Sequence, residues 1–298
     1  MKLTFVGFGE AARAFADSLS RQHAIQMLAA FDLRDDQEMR DAVATRGLAC
    51  LTSPAGIPPE TDWIISAVTA DQSYEAADAV APFLRQRQVF IDINSVSPDR
   101  KRQTAALVTA YNAIYIDMAV MAPVMPNGHA TPTLVAGPTA GKFAEELAAV
   151  GFRCECAGDT VGDATAVKMV RSLFVKGLEA ITVETLLAAS ASGCLERVMS
   201  SLIESYPGLN LAESSLYMFE RTMRHGARRA AEMRESAATI NALGLNGGLA
   251  EEIAAVQACM GAIKAKPPTR EDREAAIRTI ATSRRDIERL GRLAAPHA

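Results

Sequence analysis

The chain has 298 residues, with 31 Lys and Arg against 35 Asp and Glu, and a formal net charge of −4. Its hydrophobic residues make up 49% and its charged residues 22%, which excludes a disordered or low-complexity chain, and its length suggests about two domains. The slight acidity argues against a binder of nucleic acid or of anionic membranes. No apolar run reaches the roughly 18 residues that a membrane span needs, so we expect no membrane partner.

The five cysteines form no CxxC motif, and an odd number cannot all pair within one chain. We therefore expect free thiols in a reducing compartment. Cys154 and Cys156 form a CxC, but no cluster of histidine or cysteine accompanies them, and we expect no metal site. The first residues lack the charged head and apolar segment of a signal peptide. These features favour a cytoplasmic protein.

Short apolar runs alternate with helix-compatible segments over the first half of the chain. The predicted strands are residues 2–7, 26–31, 63–67, 89–93, 114–117 and 133–136. The predicted helices are residues 11–21, 36–44, 71–83 and 98–111. Several strand runs are apolar throughout, as in strands that are buried on both faces of a parallel sheet. The alternation predicts an α/β fold with a doubly wound sheet.

The β pattern ends after Gly162. Residues 164–190 are rich in Ala, Leu, Val and Glu and are predicted to form one long helix. Further predicted helices are separated by turn or stop signals at Gly193, residues 206–208, residues 244–248 and residues 267–268. The second half is therefore predicted to be all α-helical, and we place the two domains at residues 1–160 and 161–298.

A glycine motif, G-x-G-x-x-A at residues 7–12, follows the first predicted strand and opens the first helix. Gly7 permits the tight turn, Gly9 lets the backbone approach a pyrophosphate, and Ala12 keeps the helix close to the sheet. This strand–turn–helix context predicts a Rossmann domain that binds a dinucleotide. The predicted cofactor contacts in the turn are Gly7, Phe8, Gly9, Glu10 and Ala11. A tight turn that merely needs small residues is the alternative.

Asp32 ends the second predicted strand, where an acid binds the adenosine ribose hydroxyls and repels a 2′-phosphate. This favours NAD as the cofactor. Arg34 lies just beyond and is able to hold such a phosphate, which leaves NADP open, whereas Asp35 and Asp36 add negative charge that again favours NAD. The alternative for Asp32 is a solvated loop carboxylate.

Four stretches together resemble the β-hydroxyacid dehydrogenase family, which includes 3-hydroxyisobutyrate dehydrogenase and 6-phosphogluconate dehydrogenase. The first is the glycine motif, and the second is D-I-N-S-V-S-P at residues 92–98, similar to the family's D-x-S-T-I-S-P. The third, residues 117–128, stands in the place of D-A-P-V-S-G-G. The fourth, residues 162–168, matches the G-x-x-x-x-x-K opening of a helix. Their order and spacing agree along the chain, including the two-domain layout.

The resemblance implies that Lys168 is the catalytic acid/base. The chemistry is compatible, because oxidation of a hydroxyl by hydride transfer needs a base for the hydroxyl proton. A lysine can serve if burial or a nearby cation stabilises its neutral form, and Arg171 lies three residues on, on the same helix face. An exposed helix lysine in a surface ion pair is the alternative. Arg171 and Ser172 stand where the family commonly has two Asn, so we expect them to take part in catalysis.

Further cofactor contacts follow from the resemblance and from the carboxyl edge of the sheet, where such ligands bind. They are Val68, Thr69, Asn94 and Ser95; ordinary turn chemistry is the alternative for the last two. The family's S-G-G substrate clamp is replaced here, so substrate binding is expected to differ. The candidate substrate contacts in this loop are Met121, Ala122, Pro123, Asn127 and His129.

These departures indicate a divergent branch of the family with an uncharacterised C-terminal domain, which residues 221–233 also resemble. Several cations and Glu232 recur there at helical spacing. His225 and Arg228 are predicted to bind an anionic group of the substrate, since Arg grips a carboxylate bidentately. The alternative is a set of pairs within one helix, such as Arg228 with Glu232.

The sequence thus predicts an NAD(P)-dependent oxidoreductase that oxidises a 3-hydroxyacid-type small molecule, or reduces the corresponding carbonyl, in a cleft between the sheet edge and the helical domain. Decarboxylation of a β-keto product is left open. An imine reductase on the same scaffold is one alternative, although such enzymes typically carry Asp or Tyr in place of the Lys. A dinucleotide-binding sensor without turnover is another. By resemblance, we expect a homodimer that pairs through the helical domain.

Overall fold

The computed structural model describes residues 1–294. The chain divides into two compact units, Met1–Val170 and a second unit that begins at Arg171, and the boundary falls within one long helix. The sequence places its domain boundary about ten residues earlier, at 160/161. Because each unit contains its own buried cores, each is described by itself below.

The first unit is a Rossmann-type domain. Within the described residues its strands form one eight-stranded sheet in the order β3-β2-β1-β4-β5-β6-β7-β8. The strands are β1 Lys2–Val6, β2 Gln26–Phe31, β3 Ala49–Leu51, β4 Trp63–Ser66, β5 Val89–Asp92, β6 Ile114–Val120, β7 Thr133–Ala136 and β8 Cys154–Gly158. Strands β1 to β6 are parallel, β7 is antiparallel to β6, and β8 is parallel to β7. The carboxyl ends of β1, β2, β4, β5 and β6 therefore meet at one edge of the sheet.

Helices cover both faces of this sheet. They are α1 Glu10–Leu19, α2 Gln37–Ala44, α3 Ser73–Val80, α4 Pro98–Ala110 and α5 Ala140–Ala149. Alternate strand residues enter different cores: Phe5 packs in one with α1, and Val6 packs in the other with α3. Helix α1 buries Ala12, Phe15 and Leu19, which lie on one face at helical spacing. Burial on both faces explains why the strand runs are apolar throughout.

The second unit is helical. Its elements are the remainder of α6 Asp163–Ala191, then α7 Leu195–Ser205, α8 Leu211–Ala242, α9 Gly248–Gly261 and α10 Arg273–Ala294. Helices α8 and α9 pack backbone to backbone at Gly226, where a Cβ atom would lie 2.6 Å from the Gly261 nitrogen. Buried apolar side chains of α6, α8 and α9, including Ala180, Met233 and Ile253, form a core beside this contact.

The predicted α/β architecture with a helical second half is confirmed, and three short elements were missed. Strand β3 has three residues, and β8 is an edge strand whose opening Cys-Glu-Cys lacks an apolar pattern. Helix α5 was also not predicted. The five cysteines, all within the described residues, are unpaired. No helix in residues 1–294 is long and apolar enough to cross a membrane.

Candidate functional site

The glycine turn follows β1 directly at the carboxyl edge of the sheet. Gly7 has φ +81°, and a Cβ there would lie 2.5 Å from the Ala67 carbonyl oxygen, so only glycine fits without strain. Gly9 caps the amino end of α1, and a Cβ there would meet nothing within 4 Å. The open space at Gly9 and the positive end of the α1 dipole fit the pyrophosphate of a dinucleotide.

Asp32 braces this turn from the end of β2. Its Oδ2 accepts a hydrogen bond from the Phe8 backbone N–H at 2.7 Å, and its Oδ1 accepts from the Arg34 N–H at 2.9 Å. A carboxylate oxygen accepts more than one hydrogen bond, so these contacts leave capacity for the ribose hydroxyls of a cofactor. Asp32 is therefore built into the turn and is not an isolated solvated carboxylate.

A surface cleft of about 400 Å³ opens beside the glycine turn. It is lined by Gly9, Glu10, Arg13, Ala14, Asp17, Arg34 and Met125. The Arg34 guanidinium donates to Asp36 at 3.0 Å and to Glu38 at 3.2 Å. These two hydrogen bonds raise the pKa of Arg34, and the pairing offsets the positive charge that a 2′-phosphate would need.

The loops after β4 and β5 are tied together by Asn94. Its Oδ1 accepts from the Val68 N–H at 2.7 Å, and its Nδ2 donates to Ser66 at 3.0 Å and to Ser73 at 3.3 Å. The Asn94 side chain is buried, so it shapes the loop of Val68 and the exposed Thr69. Sequence reasoning assigned a cofactor contact to Asn94 itself, whereas its side-chain contacts here are to the protein.

Lys168 meets the loop after β5. Its Nζ donates a hydrogen bond of 2.6 Å to the Oγ of Ser95, and both residues are half-buried. Ser95 follows Asn94, which contacts Val68, and Val68 lies against the glycine turn. A continuous series of contacts thus joins the predicted cofactor turn to the predicted catalytic lysine.

A buried ion cluster, Lys101 with Asp92 and Asp117, lies beneath this loop. The Lys101 Nζ lies 3.1 Å from Asp92 Oδ1 and 3.4 Å from Asp117 Oδ1, and all three side chains are fully buried. It also donates to the Asp92 carbonyl oxygen at 2.6 Å. Tyr115 donates to Asp92 Oδ2 at 2.7 Å. Burial raises the pKa of Tyr115 and of Asp117, and for Asp117 the charge of Lys101 acts in the opposite direction.

The loop after β6 contains the five predicted substrate contacts, and these five residues differ in their exposure to solvent. Met121 is half-buried, and Ala122, Pro123 and Asn127 are exposed. His129 is buried, with its Nδ1 2.8 Å from the Ser18 Oγ and its ring edge-to-face with Phe152. Burial lowers the pKa of His129. These contacts give His129 a packing role on α1.

The predicted site residues of the second unit lie near a second buried ion cluster. This cluster consists of Lys176 with Glu232 and Arg229 with Glu179. Lys176 Nζ lies 2.9 Å from Glu232 Oε2 and donates to the Ser172 Oγ at 3.2 Å. Arg229 pairs with Glu179, which also accepts from Gln257 at 3.3 Å.

The other predicted residues of this unit are more exposed. Arg171 and Arg228 are exposed, and His225 is half-buried. Arg228 lies 3.9 Å from Glu232, the pairing within one helix that the sequence allowed. Ser172, by contrast, is buried, and its hydroxyl belongs to the network of Lys176.

Sequence reasoning missed Lys101, Thr165 and Lys176 as members of polar networks. The available signal was a charged or polar residue at an inward position of a helix, where charged side chains are rarely buried without a partner. Among the described residues, no group of three or more His, Cys, Asp or Glu side chains is arranged to hold a metal ion.

Residues 2–155 match the family of the NAD binding domain of 6-phosphogluconate dehydrogenase, and residues 189–260 match a domain of unknown function, DUF1932. The chain belongs to the β-hydroxyacid dehydrogenase family. It is a divergent member with a DUF1932 domain in its helical half, and its first unit is of the type that binds a nicotinamide dinucleotide.

Three solved structures illustrate the relationship. A conserved hypothetical protein from Sinorhizobium meliloti 1021 is 36% identical, covers 95% of this chain and 96% of its own, and has a TM-score of 0.73. The Mycobacterium tuberculosis 3-hydroxyisobutyrate dehydrogenase is 18% identical over 94% and 98% of the chains, with a TM-score of 0.72. An imine reductase from Myxococcus stipitatus is 18% identical over 86% and 93%, with a TM-score of 0.54. The last two similarities concern the fold alone.

Proposed function

We propose that this protein is an NAD(P)-dependent oxidoreductase that oxidises a 3-hydroxyacid-type substrate or reduces the corresponding carbonyl compound. Lys168 is the general acid/base. The observation that supports this assignment is the 2.6 Å hydrogen bond between Lys168 Nζ and Ser95 Oγ. Ser95 lies in the loop after β5, and this loop is connected to the glycine turn through the contact of Asn94 with Val68. Because the turn fits a dinucleotide, the lysine belongs to the surroundings of the cofactor's reactive end.

Oxidation of a hydroxyl group by hydride transfer requires one proton acceptor beside the reacting carbon. The bound nicotinamide supplies the hydride acceptor. In the oxidative direction the neutral Lys168 amine takes the substrate hydroxyl proton, and in the reductive direction the ammonium group returns it. Ser95 accepts a hydrogen bond from the lysine and so holds the amine in one orientation. Arg171 and Ser172, one turn further along the helix, are the other proposed catalytic residues.

NAD is the proposed cofactor, with NADP as the weaker ligand. The residues proposed to hold it are Gly7, Phe8, Gly9, Glu10 and Ala11, then Asp32, Val68, Thr69, Asn94 and Ser95. Asp32 stands where a 2′-phosphate would be repelled, and Asp36 and Glu38 occupy the Arg34 guanidinium. The contribution of Asn94 is to shape the loop.

Substrate contacts are proposed for Met121, Ala122, Pro123 and Asn127, because this loop follows β6 at the same sheet edge. His225 and Arg228 remain candidates for an anionic substrate group by the resemblance of their segment. We leave His129 out of the proposed site, because its ring is buried against Ser18 and Phe152. The identity of the hydroxyacid and any decarboxylation step are matters for a substrate panel.

A homodimer that pairs through the helical unit is part of the same proposal. Phe174 and Ile181 lie seven residues apart on α6 and are 72% and 65% exposed. Two large apolar side chains on one helix stripe favour a partner surface. Sedimentation or light scattering of the wild type and of Phe174→Glu with Ile181→Glu measures the oligomeric state directly.

The test of the catalytic assignment is nicotinamide reduction against a panel of 3-hydroxyacids, each with NAD and with NADP. We expect turnover with at least one acid, and we expect Lys168→Ala to lower kcat by about 10²- to 10⁴-fold, the usual contribution of a general base. Lys142→Ala, a change of another lysine of the first unit, is the matched control and keeps wild-type turnover. Dinucleotide binding, measured by calorimetry, is expected to survive in Lys168→Ala.

An active Lys168→Ala variant would end the assignment of Lys168. If the wild type turned over none of the hydroxyacids but did reduce cyclic imines, imine reduction would be the activity instead. Dinucleotide binding without any hydride transfer would favour the sensor.

A further inference from the structure

The position of Lys168 depends on how the first turn of α6 is held. Helix α6 begins at Asp163, and Lys168 follows within its second turn. The Asp117 Oδ2 from β6 accepts hydrogen bonds from the Gly162 N–H at 3.2 Å and the Thr165 N–H at 3.1 Å. A carboxylate is favoured there by the helix dipole. The helix start is thus anchored to the sheet.

Thr165 makes a second, different attachment. Its hydroxyl donates a 3.0 Å hydrogen bond to the Val96 carbonyl oxygen, and the side chain is fully buried. A threonine inside a helix usually donates to a carbonyl of its own helix. Thr222 on α8 does so, with bonds of 2.9 Å to Met218 and 3.1 Å to Phe219. Thr165 is the third residue of α6, so no carbonyl of its own helix lies three or four residues before it, and it donates to a loop 69 residues away in the chain.

Two adjacent loop residues therefore hold two residues of one helix face. Val96 accepts from Thr165, and its neighbour Ser95 accepts from Lys168. Thr165 and Lys168 are three residues apart, so both side chains project from the same face of α6. The two hydrogen bonds, the Ser95–Val96 peptide and one helical turn close a ring, so loss of one bond weakens the restraint on the other.

The buried ion cluster fixes the two elements that carry this ring. Asp92 ends β5 just before the loop, and Asp117 anchors α6. Lys101 lies between both carboxylates. Loop and helix are thereby fixed to one buried cation.

We propose that Thr165 is a positioning residue for Lys168: its hydroxyl, bonded to Val96, sets the helix turn so that the Lys168 amine meets Ser95. The inference rests on the proposed function for its catalytic consequence, and on geometry alone for the placement of the amine. Thr165 itself touches neither substrate nor cofactor. Its removal therefore changes the orientation of Lys168 and leaves dinucleotide binding intact.

The test compares Thr165→Val with Thr165→Ser. Valine keeps the β-branched shape and removes the hydroxyl, whereas serine keeps the hydroxyl. With a hydroxyacid found in the panel, we expect Thr165→Val to lower kcat by about 10- to 100-fold, the usual scale for a misplaced catalytic group. The Kd for the dinucleotide and the KM for the hydroxyacid stay within about 2-fold, and Thr165→Ser recovers most of kcat. Thr222→Val, which removes a buried hydroxyl bonded within its own helix, keeps wild-type kcat.

A second readout does not need turnover. The rate at which the Lys168 amine is acylated, relative to Lys2 and Lys142 in the same sample, is measured by peptide mass spectrometry. Half-burial and the bond to Ser95 restrict the approach of a reagent to the Lys168 amine. We therefore expect several-fold faster labelling of Lys168 in Thr165→Val and a wild-type rate in Thr165→Ser.

Equal labelling and equal kcat in the wild type and Thr165→Val would overturn the proposal. Equal losses in Thr165→Val and Thr165→Ser, or in Thr222→Val, would overturn it too, because packing or general stability would then be the cause. If the wild type oxidises no hydroxyacid, the proposed function fails in that arm, while the labelling rates still decide the role of Thr165.

Discussion

The two buried ion clusters are built in opposite ways. In the first unit, Lys101 lies between Asp92 and Asp117. The Asn94 N–H donates to Asp92 Oδ1 and the Thr165 N–H donates to Asp117 Oδ2, whereas Asp117 Oδ1 has, within residues 1–294, only the Lys101 ammonium, at 3.4 Å, beside it. The members of this cluster are Asp92 at the end of β5, Asp117 beside it on β6, and Lys101 in the first turn of α4. The charges do not balance, with two acids for one lysine.

In the second unit, the partners come from the middles of long helices. Lys176 pairs with Glu232 and Arg229 with Glu179, so the charges balance, but the Nε of Arg229 and the Oε1 of Gln257 have no hydrogen-bond partner among the described residues. The first cluster thus holds backbone segments around the proposed site, whereas the second connects helices α6, α8 and α9. Backbone N–H groups at helix starts and strand ends are available to satisfy carboxylates, while those inside helices are already used.

The largest expected difference between the clusters is in stability. Lys101→Met leaves Asp92 and Asp117 buried without their cation, and we expect a loss of about 3–5 kcal/mol in the free energy of unfolding. Lys176→Met leaves Glu232, which is 17% exposed and near Arg228, and we expect a smaller loss of about 1–3 kcal/mol. Urea unfolding of both variants measures the two values.

The matched control for Lys101→Met adds Asp117→Asn, which removes one of the two stranded charges. Recovery of part of the lost stability is expected, because residues in one network are coupled. If Lys176→Met lowered the free energy of unfolding as much as Lys101→Met, the proposed difference between the two clusters would be wrong.

Two glycines, one in each unit, allow a second comparison between packing in the helical unit and cofactor binding in the first unit. Gly226→Ala places a Cβ against the backbone of α9, and we expect it to destabilise the protein by about 1–3 kcal/mol. Gly9→Ala adds a methyl group in open space at an extended backbone, so stability is expected to stay within about 0.5 kcal/mol. The methyl group obstructs the approach of a pyrophosphate, and we expect the Kd for NAD to rise by about 10-fold or more.

Thermal unfolding and calorimetric titration with NAD, run on both variants, separate packing from binding. Unchanged NAD affinity in Gly9→Ala would remove the glycine turn from the proposed cofactor site. Full stability of Gly226→Ala would show that α8 and α9 can separate at little cost.

A smaller effect is expected at the cleft beside the glycine turn. Asp36→Asn with Glu38→Gln frees the Arg34 guanidinium, and the substituted amide oxygen at position 36 still accepts from the Met39 N–H as the helix cap. We expect the Kd for NADP to fall by about 2- to 5-fold, since exposed ion pairs are worth ~0.2–1 kcal/mol. The Kd for NAD should not change, and addition of Arg34→Ala should abolish the gain. If the Kd for NADP were unchanged by all three substitutions, the adenosine ribose would not bind beside Arg34.

The smallest effects concern pH and again divide between the units. Burial lowers the pKa of His129 below its ordinary 6.5, so the unfolded chain binds the proton first and stability is lost as pH falls through 6.5. Burial lowers the pKa of Lys176 below 10.5, so stability rises with pH as 10.5 is approached. Urea midpoints at about pH 7.5 and 5.5, on either side of the ordinary histidine pKa, should differ less in His129→Gln than in the wild type, with Lys176→Met behaving as the wild type over this range. Equal acid sensitivity in His129→Gln would contradict the burial of a neutral imidazole.

Much of the fold followed from periodicity. The continuous apolar strand runs and the helix from residue 164 were predictable because burial on both sheet faces and helical propensity leave local patterns. Strand β8 was not predictable, since a Cys-Glu-Cys edge strand has no apolar alternation. His129 was grouped with substrate contacts because the loop position was visible, whereas its partners Ser18 and Phe152 are distant in the chain.

The sequence by itself determined the glycine turn after β1, the two-part organisation and the helix that carries Lys168, because each is written in residues that are neighbours along the chain. Only the tertiary structure decided which charges are buried together and that the Thr165 hydroxyl donates to the Val96 carbonyl oxygen. Such pairings join residues tens of positions apart, and their energy depends on desolvation and geometry that no local pattern records.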